Sequence, residues 1–291
     1  MFQQIVNIIF PIFAIVAIGF FYARKHEPDM AAANQINLHI FIPALIFHVL
    51  SGKNFHLQEF SNLALAATII VLGSGLLAWP IAKILKYDIK TFVPPMMFSN
   101  SGNMGLPLAL FAFGEQALPA AVILFIIENT LHFSVGMKIL DFKTAISSIL
   151  RIPMVLATVA GITFSLTDFI LPGMVGISIE MLGQVAIPLM LFSLGVRLTA
   201  VDLNDWKIGV IGAIICPLTG IIVLLAMSPF LELPKLQFGL LVIYAVLPPA
   251  VLNFMVAEKY KQEPSKVASI VMLGNLASLL FIPIALFYVL N

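Results

Sequence analysis

The chain predicts an all-α integral membrane protein of ten transmembrane helices, arranged as two inverted five-helix repeats. Three observations carry this. The composition is 61% hydrophobic and 10% charged with a mean hydropathy of +1.07, whereas a soluble domain is about 45–50% apolar and about 25% charged. Ten apolar segments of spanning length account for most of the 291 residues. Lys and Arg are confined almost entirely to alternate connections between them.

The segments run over 4–23, 33–51, 60–82, 91–113, 117–138, 152–170, 177–197, 207–229, 236–257 and 266–289. The first follows Met1-Phe2-Gln3-Gln4, which lacks the positive region of a secretory leader, and reads as a retained span. The second carries Pro43 near its middle, with His39 and His48, which lack a second ligand at metal-site spacing and read as structural. Trp79, near the end of the third, and Trp206 fall near the expected inner interface, where amphipathic rings are favoured. The fourth is interrupted by Asn100-Ser101-Gly102-Asn103-Met104-Gly105-Leu106-Pro107, and the fifth holds Glu128, Asn129 and His132. The longest connection, about 139–151, is basic and too short for a soluble domain. Asp168 and Glu180 read as solvated ends of the sixth and seventh segments. The seventh carries Pro188 and ends at Arg197, expected to snorkel to the surface. The eighth holds Cys216, the one cysteine, so no disulfide or thiolate metal site forms within the chain. Pro248-Pro249 interrupts the ninth, and the tenth carries Gly274-Asn275.

Thirteen Lys and Arg fall on one set of connections, including Arg24, Lys25, Lys143 and Arg197, against Lys53 and Lys235 on the other. The first set is expected to be cytoplasmic, with both termini outside. Residues 1–140 and 141–291 resemble each other. Ile42-Pro43 matches Ile187-Pro188, the fourth and ninth segments are both interrupted, and Asn129 and Asn275 follow in the fifth and tenth. Five spans per half make the second copy inverted, a pattern of alternating-access carriers.

An interrupted helix restarts with free N–H groups and the positive end of its dipole. Two restarts meeting at the bilayer centre from opposite sides would favour a small anion, most simply a carboxylate. The candidate ligands are Asn100, Ser101, Asn103 and the N–H groups of Gly105 and Leu106 from one side, and Pro248, Pro249 and Asn253 from the other. Gly102 and Gly105 are expected to serve backbone geometry. The alternative is a pair of proline-kinked structural helices. Glu128, with His132 one turn later, is a candidate proton carrier, since an acid at membrane depth is a functional hypothesis by default; a structural acid is the alternative. No enzyme motif, metal site or cofactor motif is present, and a net charge of +1 gives no case for a nucleic-acid partner.

Three stretches resemble the auxin efflux carrier family, in its bacterial form: Asn100 to Pro107-Leu108; Val246-Leu247-Pro248-Pro249 with Phe254 and Ala257-Glu258-Lys259-Tyr260; and Ile42-Pro43 to Phe47-His48-Val49-Leu50-Ser51. The resemblance implies the fold of bile-acid/sodium symporters. Helices 1, 2, 6 and 7 would form a scaffold, and helices 3, 4, 5, 8, 9 and 10 a mobile core in which broken helices 4 and 9 cross. It also implies elevator-type movement, a crossover Asn at Asn100, a ninth-helix crossover at Pro248 and Pro249, and a homodimer through the scaffold. The long cytoplasmic loop of many plant members is missing, and the ninth segment has no acid before Glu258, so a sodium cage is not expected.

The expected function is therefore secondary transport of a small organic anion, a mono- or dicarboxylate, by uniport or proton coupling in a bacterial inner membrane. Two alternatives stand beside it: a cation/proton exchanger using Glu128, and a non-transporting solute sensor on a transporter fold.

Overall fold

The computed structural model describes residues 2–52, 55–142, 151–167, 171–199 and 205–291; Lys53, Lys143 and Asp168 lie outside them. In chain order the helices are α1 (Phe2–His26), α2 (Ala31–Leu50), α3 (Ser61–Ile84), α4 (Ile89–Met97), α5 (Leu106–Phe113), α6 (Glu115–Leu140), α7 (Pro153–Ser165), α8 (Gly173–Arg197), α9 (Trp206–Met227), α10 (Lys235–Ala245), α11 (Val251–Tyr260) and α12 (Pro264–Leu290). Seven of them, α1, α2, α3, α6, α8, α9 and α12, are long and apolar enough to cross a membrane. The fourth and ninth expected segments are each two shorter helices, α4 with α5 and α10 with α11.

The helices pack in two groups. In one, α1 lies along α8, and α2 packs on α7 and α8. Lipid offers helices no hydrophobic reason to associate, so such contacts rely on close backbone approach through small residues. Gly19 and Gly195 provide it between α1 and α8: a Cβ on Gly19 would stand 2.2 Å from the Phe192 carbonyl oxygen, and one on Gly195 2.0 Å from that of Val16. Gly183 meets the Leu45 backbone of α2 in the same way. In the other group α9 lies along α12 and against α3, α3 packs on α4 and α6, and α11 packs on α12. Fewer contacts join the groups, through α1 with α5 and α12, α2 with α6, α6 with α7, and α8 with the turn at Ser101–Gly105.

One corner of the second group is pinned by polar contacts. Glu263, between α11 and α12, pairs with Lys266 and accepts a hydrogen bond from Thr91 Oγ1 of α4 at 2.6 Å. Lys266 first, then Thr91, hold the Glu263 carboxyl below the usual carboxylate range.

Candidate functional site

Two stretches of extended backbone cross at the centre of the second group. After α4 ends at Met97, the chain runs extended through Phe98 and Ser99 and turns at Asn100; after α10 ends at Ala245, it unwinds through Pro248 and Pro249 before α11. Ser99 and Pro249 face each other in an isolated antiparallel bridge. The Asn100 N–H donates to the Pro248 carbonyl at 2.7 Å, and the Ala250 N–H to that of Phe98 at 2.9 Å. These bonds flank the Ser99–Pro249 pair, so neither residue's N position is used in the ladder. A proline is tolerated there for that reason. Unpaired backbone is costly at membrane depth, and here each break satisfies the other.

Asparagine side chains lock the crossing. Asn100 Nδ2 donates to Asn275 Oδ1 at 2.9 Å, and Asn275 Nδ2 donates to the carbonyls of Val271 at 2.7 Å and Pro249 at 3.1 Å. Asn253 Nδ2 donates to the carbonyls of Phe98 at 2.9 Å and Ala250 at 3.0 Å. Gly274 lies under the Pro249 ring, where a Cβ would stand 2.5 Å from Pro249 Cδ. The sequence marked Asn275 only as a repeat position; its bond to Asn100 depends on a neighbour 175 residues away.

The break lies earlier than the glycines suggested. Helical winding resumes at once in a π turn, Ser101–Gly105, which runs into α5, and Gly105 has ordinary helical φ and ψ of −64° and −48°. Space is tight at both glycines, more so at Gly102. A Cβ on Gly102 would stand 2.8 Å from Phe125 Cε2, and one on Gly105 3.1 Å from Leu247 Cδ1. The expected anion donors move accordingly. The Gly105 N–H donates to the Asn100 carbonyl at 3.1 Å and that of Leu106 to Ser101, so neither is free. The first N–H groups of a restart have no carbonyl one turn back. Here those of Gly102 and Asn103 have no partner among the described residues.

A cavity of about 160 Å³ lies beside the crossing. Asn100, Ser101, Asn103, Glu128 and His132 line it. Gly105, Leu106, Pro248, Pro249 and Asn253 do not: Pro248 and Pro249 belong to the crossing, Asn253 is bonded back to it, and Gly105 and Leu106 lie in the resumed helix, Leu106 fully buried. Ala250, Val251 and Leu252 line the wall instead. The cavity extends past Asn34 near the start of α2 to Arg197 at the end of α8. Arg197 was expected to snorkel away; it is half-buried and supplies the cation among the described lining residues.

Glu128 and His132 are both buried. Ser99 Oγ donates to Glu128 Oε2 at 3.4 Å, and Ser101 approaches the same carboxyl with its hydroxyl and N–H. His132 stacks on Phe98 with ring centroids 4.2 Å apart and planes 8° from parallel. Gly136 leaves room for that stack, since a Cβ there would stand 2.7 Å from the Phe98 ring. The acid and the imidazole thus touch the extended segment at neighbouring residues. Among the described residues no three His, Cys, Asp or Glu gather in a way that could hold a metal ion.

Two unwound helices crossing beside a polar cavity are the arrangement by which many membrane carriers hold a solute, and the class defined here is a multi-pass membrane transport protein. The chain belongs to the auxin efflux carrier family: the family described as membrane transport protein matches residues 4–147 and 140–288. A protein of Rhizobium meliloti named "Putative malonate transporter" is 25% identical, covering 94% of this chain and 92% of its own. An uncharacterized transporter of Methanocaldococcus jannaschii is also 25% identical, covering 95% and 96%. A third relative, an uncharacterized transporter of Methanothermobacter thermautotrophicus, is 25% identical over 89% and 88%.

Proposed function

We propose that this protein is a secondary transporter of a small organic anion, a mono- or dicarboxylate, working by elevator-type alternating access. The observation that carries the reading is the pair of crossed breaks beside a cavity, with the N–H groups of Gly102 and Asn103 free at a helix start. Arg197 on the same cavity adds positive charge, and the relatives named as transporters support transport as the function.

In this reading the ten spans form two inverted repeats, 1–140 and 141–291. The group of α1, α2, α7 and α8 is the scaffold, and the rest is the core that carries the solute past it. The thin contact between the groups supports that division. The scaffold also provides the surface for a homodimer. The Lys and Arg asymmetry supports a cytoplasmic position for the ends of α1 and α8 in a bacterial inner membrane, with both termini outside. The cavity then opens inward.

Glu128 couples transport to protons. An ionised Glu128 and a bound carboxylate repel each other in a cavity screened from water, and a proton on Glu128 removes that repulsion. The test is counterflow in proteoliposomes preloaded with unlabelled malonate, succinate or propionate, with and without sodium and a pH gradient. Exchange of labelled acid without sodium, driven faster by a proton gradient, is the expected result; no exchange of any of the acids overturns the reading. The burial of Glu128 among Ser99 and Ser101 also favours a second reading, a cation/proton exchanger. That reading requires sodium or potassium to collapse a pH gradient with no organic acid present, and Glu128→Gln to abolish the effect.

A further inference from the structure

The cavity has a second polar wall, on α2 and α8, of which the anion site described above uses only the charge of Arg197. Ser193 and Arg197 lie four residues apart on α8 and share a face. Asn37 lies in the π turn of α2 that packs on α8. All three line the cavity. Asn37 is 4% exposed and Ser193 5%, and neither Asn37 Oδ1 nor Ser193 Oγ has a hydrogen-bond partner among the described residues.

Buried polar atoms without partners are rare enough to need a reason. Ser193 could satisfy itself within its own helix, as others in this chain do: Thr68, Ser134, Thr158 and Ser178 each turn the hydroxyl back to the carbonyl four residues earlier. Ser193 remains unpaired beside the cavity instead. Asn37's amide oxygen and nitrogen interchange on a half-turn of the side chain, so its NH₂ can serve the same space. Arg197 is half-buried there; Glu258 is its acidic neighbour, but no ion pair joins them among the described residues.

Hydroxyl, amide and guanidinium on one wall match a carboxylate, which takes several charge-assisted hydrogen bonds at once. We infer that Asn37, Ser193 and Arg197 form a second anion subsite, and that the solute is a short dicarboxylate. One end sits at the helix start by Gly102 and Asn103, the other on this wall. The inference rests on the anion-carrier reading above and adds that both groups of helices hold the solute, so the scaffold side sets specificity.

The test is equilibrium binding of malonate and of propionate, which has the same three-carbon length and one carboxylate, to the purified full-length protein. Each of three variants is checked for an unchanged melting temperature. Arg197→Gln should weaken malonate about 10- to 100-fold, the range for a lost hydrogen bond to a charged group, and leave propionate within about threefold. Ser193→Ala, which removes only the hydroxyl and changes no charge, should weaken malonate in the same direction by about threefold or more. Asn103→Ala, on the crossing, should weaken both acids alike. Equal loss of both acids in Arg197→Gln and Ser193→Ala, or no loss of malonate in either, overturns the second subsite while Asn103→Ala still reports the first. Binding of neither acid by the unaltered protein overturns the anion reading itself.

Discussion

The two breaks at the crossing are paired but not alike. Around Phe98 to Asn103 the chain is polar: Ser99, Asn100, Ser101 and Asn103 all reach the cavity. Around Val246 to Ala250 it is apolar, with Pro248 and Pro249 at its centre, and the side chains that bond it, Asn253 and Asn275, come from elsewhere and reach its carbonyls. The first break supplies chemistry and the second supplies shape. A symmetric duplication would have placed equal chemistry on both. What the pairing requires of the second strand is only carbonyls at Pro248 and Pro249 and one N–H at Ala250.

Four substitutions can break or sharpen this contrast. The largest effect is expected for Asn100→Ala, which removes the amide that meets Asn275 and leaves Asn275 Oδ1 without its partner. Counterflow should disappear, and the protein should lose about 1–3 kcal/mol of stability; transport near the normal rate would show that the polar break is not the functional one. Glu128→Gln keeps the shape and removes the titrating group. Exchange of labelled acid should persist while the response to a pH gradient is lost, measured as uptake at matched and opposed pH; retained gradient-driven uptake would move the proton elsewhere. Asn103→Ala should weaken acid binding at least about tenfold with no change in melting temperature, because Asn103 is only half-buried and no partner is bonded to it among the described residues. The smallest functional effect belongs to the apolar break. Gly274→Ala drives a methyl into the Pro249 ring and should cost about 1–3 kcal/mol by overpacking, seen in thermal denaturation, while affinity in the folded fraction stays close to normal. A selective loss of affinity there would erase the distinction between the two strands.

Legibility differed along the chain for physical reasons. Apolar runs of spanning length are a local property, so the helices were readable, and the two interrupted segments do contain half-helices. The position of the first break was not readable. Gly102, Gly105 and Pro107 look like breakers, yet they sit in helical backbone, and their small size or missing N–H suits packing against Phe125 and Leu247 or a first turn. The true opening, at Phe98 to Asn100, has no breaker residue; a strand from the other half extracts it from the helix. Arg197 shows the same limit. At a helix end any sequence rule sends it to the surface, and only the packing of α2 and the crossing around it makes a cavity wall of its position.

The sequence by itself determined that this is a multi-pass helical membrane protein of a transport family, with interruptions in two of its apolar segments, because hydropathy and motif spacing act over a few turns of chain. Tertiary structure alone decided which backbone groups remain free, which asparagines are joints and which face the cavity. Those outcomes depend on partners more than a hundred residues away, since Asn100 meets Asn275 and Phe98 meets Ala250 only once the two halves have been brought together.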